Sequence, residues 1–114
     1  MSTVYNLSLI AGETPTFVVS VVDQLGVAID LTGAKAYYTA ALPIPIVKTD
    51  GAGTAITDPV NGEFEIAFLQ ADTEYIDSVL EVHHECKLLT ATGVVLVAFS
   101  GYLVVNDSLI ETIP

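Results

Sequence analysis

Asp58-Pro59-Val60-Asn61-Gly62-Glu63-Phe64-Glu65-Ile66-Ala67-Phe68 is the stretch that decides how this chain folds. Pro59 presets φ for a turn and Asn61-Gly62 readily takes positive φ, so the first five residues predict a tight reversal. Beyond it Phe64, Ile66 and Phe68 alternate with Glu63, Glu65 and Ala67. A period of two is the pattern of a strand with one face in a core and the other turned outward.

The same grammar extends in both directions. Residues 14–23 place Phe17, Val19 and Val21 on one face and Thr16, Val18, Ser20 and Val22 on the other. Asp23-Gln24-Leu25-Gly26 supplies the next turn, residues 27–30 return as a short extended piece, and Leu31-Thr32-Gly33 breaks it. Residues 34–42 alternate again, with Ala34, Ala36, Tyr38 and Ala40 on one side and Lys35, Tyr37 and Thr39 toward water. Residues 4–10 and 54–57 read as strands, and residues 79–89 and 94–105 as two long ones joined by Thr90-Ala91-Thr92-Gly93. Polar residues 70–77 predict one helical turn with Asp72 or Thr73 as its cap. Pro43-Ile44-Pro45-Ile46 carries two prolines that cannot donate to a ladder, which makes it an edge segment or an extended arm. Asp50 to Gly53 is a turn or loop. Seven or eight strands without a helix of note predict two packed antiparallel sheets, with an eight-stranded closed barrel as the alternative.

One domain accounts for all 114 residues, with 106–114 as a C-terminal tail. Hydrophobic residues make up 52% and charged residues only 15%, against about 25% charged in an ordinary domain. A small domain with so few charges is expected to bury part of its apolar surface against other chains. Three lysines (Lys35, Lys48, Lys87) and no arginine stand against fourteen acids, a formal charge of −11. That balance excludes nucleic acid as a partner, because phosphate neutralisation and base reading both rest on Lys and Arg. It also argues against anionic membranes. The single cysteine, Cys86, excludes an internal disulfide, and no apolar run is long enough for a membrane-spanning helix. A protein made in the cytoplasm is expected.

His83-His84-Glu85-Cys86 is the one cluster that invites a site. On a strand His84 and Cys86 share one face, and His83 and Glu85 the other. Two ligands at i and i+2 could begin a zinc site, but zinc takes three or four and the chain holds no other His or Cys. The expectation is that His84 and Cys86 pack in the core. Asp23, Asp30, Asp50, Asp58 and Asp72 each sit where aspartate favours a turn, without the spacing of a calcium loop. No catalytic residue, metal or cofactor is expected. Partner contact is assigned to the proline segment, Pro43, Ile44, Pro45, Ile46 and Val47, which either folds over one end or lies as an arm on a neighbour. The tail residues Leu109, Ile110 and Ile113 receive the same assignment, since apolar side chains in a tail point to docking.

Gly12-Glu13-Thr14-Pro15-Thr16-Phe17, the run Val22-Asp23-Gln24-Leu25-Gly26-Val27-Ala28-Ile29-Asp30-Leu31-Thr32-Gly33-Ala34, the Asp58–Gly62 turn, the corner Gln70-Ala71-Asp72-Thr73 and the closing Gly101-Tyr102-Leu103-Val104-Val105 together resemble immunoglobulin-like domains of phage virions. Such domains occur in tail, baseplate, neck and fibre proteins, notably at the N-terminus of the baseplate upper protein. The resemblance covers about residues 7–105 and departs from the family at Leu80, where a tyrosine is frequent. It implies an immunoglobulin-like antiparallel β-sandwich and a non-enzymatic structural role in the virion, as a tail or baseplate, neck or capsid-decoration subunit. The implied partners are other virion proteins and further copies of itself. Ending at Pro114, the chain is expected to be a stand-alone module. A ligand- or glycan-binding adhesion module using its end loops is the alternative, and a small metal enzyme built on His83, His84 and Cys86 a more remote one.

Overall fold

The computed structural model describes residues 5–108 and places eight strands in one sheet. In chain order they are β1 (Leu7–Ile10), β2 (Thr16–Ser20), β3 (Lys35–Ala40), β4 (Ile46–Asp50), β5 (Gly53–Asp58), β6 (Glu63–Ala67), a single helical turn α1 (Gln70–Thr73), β7 (Leu80–Leu89) and β8 (Val95–Asn106). Across the sheet the order is β1-β8-β7-β3-β4-β5-β6-β2. The all-β class and the strand number agree with the sequence.

The connectivity differs from two separate antiparallel sheets. The sheet is mixed: β1 runs parallel to β8, with Leu7 opposite Leu103, and β4 runs parallel to β5 over Thr49–Gly53 and Asp50–Thr54. The cause of the second pairing is a two-residue corner, Gly51 and Ala52. Ala52 N–H donates to the Thr49 carbonyl at 2.8 Å and Gly51 N–H to the Thr54 carbonyl at 2.9 Å, so the ladder rounds the bend without interruption. Around that corner the sheet curls, and side chains far apart in strand order meet inside it. Tyr38 of β3 contacts Phe68, just beyond β6, with ring centroids 5.7 Å apart, and Phe99 of β8 at 6.1 Å. Phe17 of β2 meets Phe68 edge-on at 5.5 Å. Among the described residues β1 and β2 do not pair, so the curled sheet stays open rather than closing as a barrel.

The core follows the alternation read from the sequence. Ala36, Tyr38 and Ala40, Phe64 and Ile66, and Cys86 and Leu88 are all buried. A side chain such as Phe64 contributes roughly 1.5–3 kcal/mol by leaving water. The Asp58–Gly62 turn forms as expected, with Gly62 N–H on the Pro59 carbonyl at 3.1 Å. Gly62 has φ 71°, and a Cβ there would stand 2.6 Å from the Val21 carbonyl oxygen and 2.8 Å from that of Ile29. Its missing side chain is what lets the backbone at Val21 and Ile29 dock on the turn.

Two expectations change. The proline segment is not an arm: residues 41–45 connect β3 to β4 as a hairpin loop, and Ile46 pairs opposite Ala40 with its side chain 4% exposed. Ile46 therefore packs with the core of this single chain. Asp72 acts from inside α1 rather than as its cap, taking the Leu69 N–H at 2.8 Å. The same oxygen holds the ammonium of Lys48, on the inward side of β4, at 2.6 Å. This pair ties α1 to the sheet. The Thr73 hydroxyl adds a second tie by accepting the Gly12 N–H at 2.9 Å.

Candidate functional site

β7 delivers the His83–Cys86 cluster to two faces. His84 and Cys86 point inward and are buried, while His83 and Glu85 are exposed. Both ring nitrogens of His84 are engaged, Nδ1 with the Tyr38 hydroxyl at 2.9 Å and Nε2 with the Tyr5 carbonyl at 2.6 Å. A carbonyl only accepts, so Nε2 carries the proton and Nδ1 accepts from Tyr38. Burial lowers the His84 pKa, against a smaller raising effect of the Tyr5 carbonyl. The ring is thus a neutral strut between the N-terminal segment and the core, packed beside Tyr38 and Phe99. Burial likewise pushes the Cys86 thiol up to about 12, with Glu85 adding to the effect. Such a thiol is a hydrophobic filler, the opposite of an activated nucleophile. His83 stacks on exposed Tyr102 at 4.6 Å. Among the described residues no three His, Cys, Asp or Glu side chains gather to hold a metal ion.

Three of the five aspartates are occupied by their own turns. Asp23 accepts from the N–H groups of Leu25 and Val27 at 2.8 and 3.0 Å. Asp30 accepts from the Thr32 hydroxyl at 2.6 Å and its N–H at 2.9 Å, and these two bonds, the hydroxyl first, hold its carboxyl below the ordinary range. Asp58 takes the Asn61 amide at 2.8 Å.

Of the candidate contact residues, Pro43, Ile44, Pro45 and Val47 are exposed at the β3–β4 end, where the Tyr75 hydroxyl accepts the Ile44 N–H at 3.0 Å and fixes the loop. Leu109, Ile110 and Ile113 lie outside the described residues. Two clefts flank the sheet. One, of about 560 Å³, is lined by Glu13, Glu74, Asp77 and Asp107 among others and is acidic. The other, of about 520 Å³, runs between β2 and the first half of β8 and is walled mainly by Val18, Val21, Val22, Ile29, Leu96 and Phe99. Val18, Val22, Val94 and Val95 are each about half exposed beside it, and Leu25 is 87% exposed in the turn after β2. The sequence reading left this apolar end unmarked. Its signal was Val18 and Val22, two valines on the face of β2 assigned to the outside.

The geometry defines an all-β module with one apolar and one acidic cleft, without an assembled catalytic or metal-binding group among the described residues. Among solved structures it is similar to the N-terminal domain of phage TP901-1 ORF48, with a TM-score of 0.52 over 91% of this chain and 85% of that one, at 11% identity. The likeness is one of fold. No family model matches the chain, and no curated protein does.

Proposed function

We propose that this chain is a non-enzymatic structural module of a phage virion, a variant of the immunoglobulin-like sandwich that assembles through protein–protein contacts in the tail or baseplate, the neck or the capsid surface. The observation that carries the reading is the apolar end formed by Val18, Val22, Leu25, Val27, Val94 and Val95, exposed on a fold similar to that of a phage domain. Six large aliphatic side chains left in water at one end of a 114-residue chain are the signature of a contact surface. The neutral, doubly bonded His84 and the protonated, buried Cys86 support a role without catalysis.

The virion is the expected location, and other virion proteins or further copies of this chain are the expected partners. The test is to image particles purified from a lysate and to find the chain in the reconstruction. The reading predicts a fixed number of copies with the Val18–Val95 end buried against a neighbour. A chain absent from particles, or attached with that end in solvent, overturns it.

A further inference from the structure

The curled sheet leaves two edges facing each other across the apolar cleft. On β2, the Pro15 carbonyl takes the Phe68 N–H and the Val21 N–H donates to the Gly62 carbonyl, both toward β6. Antiparallel alternation then turns the backbone groups of Thr16, Val18 and Ser20 away from β6 and into the cleft. On β8, β1 covers only Leu103 to Asn106. The bond from the Thr90 N–H to the Val94 carbonyl fixes the phase of the β7–β8 hairpin, so Val95 and Val97 turn their backbone groups toward the same cleft. Among the described residues neither run has a strand partner on that side. Tyr5 bounds the slot where β1 begins, its N–H on the Ser100 carbonyl at 2.9 Å.

Natural sheets guard an open edge with a charge, a proline or a bulge. β2 carries none of these, and residues 94–102 carry no charge. Two such edges facing each other form a template for one more strand. Thr16 to Ser20 spans five residues, roughly 17 Å of strand. An extended segment of that length turns three residues to one neighbour and two to the other, which matches the outward residues of β2 and β8. Its inward side chains would meet Val19, Leu96 and Phe99, so they must be apolar. Its outward side chains would lie beside Val18, and beyond that strand stand Glu65, opposite Val18, and Glu63, opposite Ser20. The ion pairs among the described residues are Lys48–Asp72 and Lys87–Glu85, so neither of these glutamates is matched by a cation there. With a net charge of −11 and no arginine in the chain, the complementary occupant is basic.

We propose that the β2–β8 slot takes an extended segment of another protein as an added strand, about five residues long, apolar at alternate positions and carrying lysine or arginine between them. The inference rests on the reading of the apolar end as a contact surface and adds the form of what is gripped there.

The test uses the purified full chain and a capped peptide of alternating lysine and valine, about seven residues long. With the peptide at about ten times its dissociation constant, the amides of Val18, Ser20 and Val97 exchange with solvent about tenfold more slowly, while those of Val19, Ile66 and Leu88 are unchanged. The same peptide methylated on alternate backbone nitrogens binds at least about tenfold more weakly, because it cannot complete the ladder. A glutamate–valine peptide does not bind, and Glu63→Gln with Glu65→Gln weakens the lysine peptide about fivefold. A lysine peptide that leaves the three amides unchanged overturns the proposal. So does equal binding of the methylated or the glutamate peptide, or unchanged affinity in the double glutamine variant. Amides already slow before peptide is added overturn it as well: protection independent of protein concentration assigns the slot to a segment of the same chain, and protection that grows with concentration assigns it to a second copy. The virion reading fails separately, by absence of the chain from particles, whereas a particle in which a helix or loop covers Val18 overturns only the added strand.

Discussion

Replacing Asp72 by Asn tests whether the Lys48–Asp72 pair fastens α1 to the sheet. The Lys48 side chain is 7% exposed and that of Asp72 18%, with 2.6 Å between ammonium and carboxylate. Asn keeps the shape and one acceptor for the Leu69 N–H, but leaves a buried ammonium against a neutral amide. Breaking a buried pair from one side costs about 3–5 kcal/mol, and water reaching the carboxylate places this one at the lower end, about 3 kcal/mol. With an unfolding entropy of about 2.1 cal/mol/K per residue, that lowers Tm by roughly 12 °C. Lys48→Met removes the charge and keeps the stem packed, while Asp72 retains the Leu69 N–H and its access to water. Its cost is about 1 kcal/mol, and adding Asp72→Asn to it costs little more. Urea unfolding at neutral pH reads these differences through the five tyrosines, in a chain without tryptophan. Asp72→Asn no more destabilising than Lys48→Met refutes the reasoning, because the ammonium then did not depend on its carboxylate.

Four further outcomes follow from the same structure. Gly62→Ala, which forces a side chain onto φ 71° and against two carbonyls, destabilises by about 3 kcal/mol, readable as a lower urea midpoint at unchanged slope. His84 has a folded pKa below its unfolded value, so the unfolded state binds the proton more readily and stability is lost as pH falls from about 6.5 through the folded pKa. Urea midpoints between pH 8 and pH 5 therefore decline more steeply for the natural chain than for His84→Gln, and parallel profiles contradict the assignment. Cys86, fully buried with its thiol raised to about 12, reacts with a disulfide reagent at pH 8 only as fast as the protein unfolds, so urea accelerates labelling by orders of magnitude. Val18→Lys and Val95→Lys, both on exposed positions, change stability by less than about 0.5 kcal/mol yet remove the chain from particles; normal incorporation of both argues against the apolar end as the contact.

Much of the fold was legible because alternation in β2, β3, β6 and β7 is regular and each is bounded by a turn with its own chemistry. β4 was not, and its residues say why. Ile46 and Lys48 point inward while Val47 points out, so the pattern is inverted by a buried charge whose partner lies 24 residues away. Without that partner the segment reads as a proline-led loop or arm. The parallel β1–β8 pairing was equally hidden, since periodicity fixes which face of a strand is buried and is silent on its neighbour. For the site, alternation alone placed His84 and Cys86 inward and His83 and Glu85 outward. The apolar slot was missed because it exists only where two particular edges are left facing each other, a property of strand order. The extra residue that shifts the β7–β8 register falls at Ala98, between the pairs Cys86–Phe99 and Lys87–Val97, inside an apolar run whose residues carry no bulge signal.

Sequestering Lys48 beside α1 also changes how the molecule meets its own kind. Only Lys35 and Lys87 remain on the outside to offset the acids, and Lys87 already leans on Glu85 at 3.5 Å. Identical copies approaching in dilute buffer therefore meet as like-charged bodies, whose repulsion reaches about 30 Å at 10 mM ionic strength and only about 8 Å at 150 mM. Greasy contact at the valine end becomes accessible once ions shorten that reach, or once a basic surface supplies the missing cations. Ionic strength, more than concentration, then sets how closely copies of this chain approach one another.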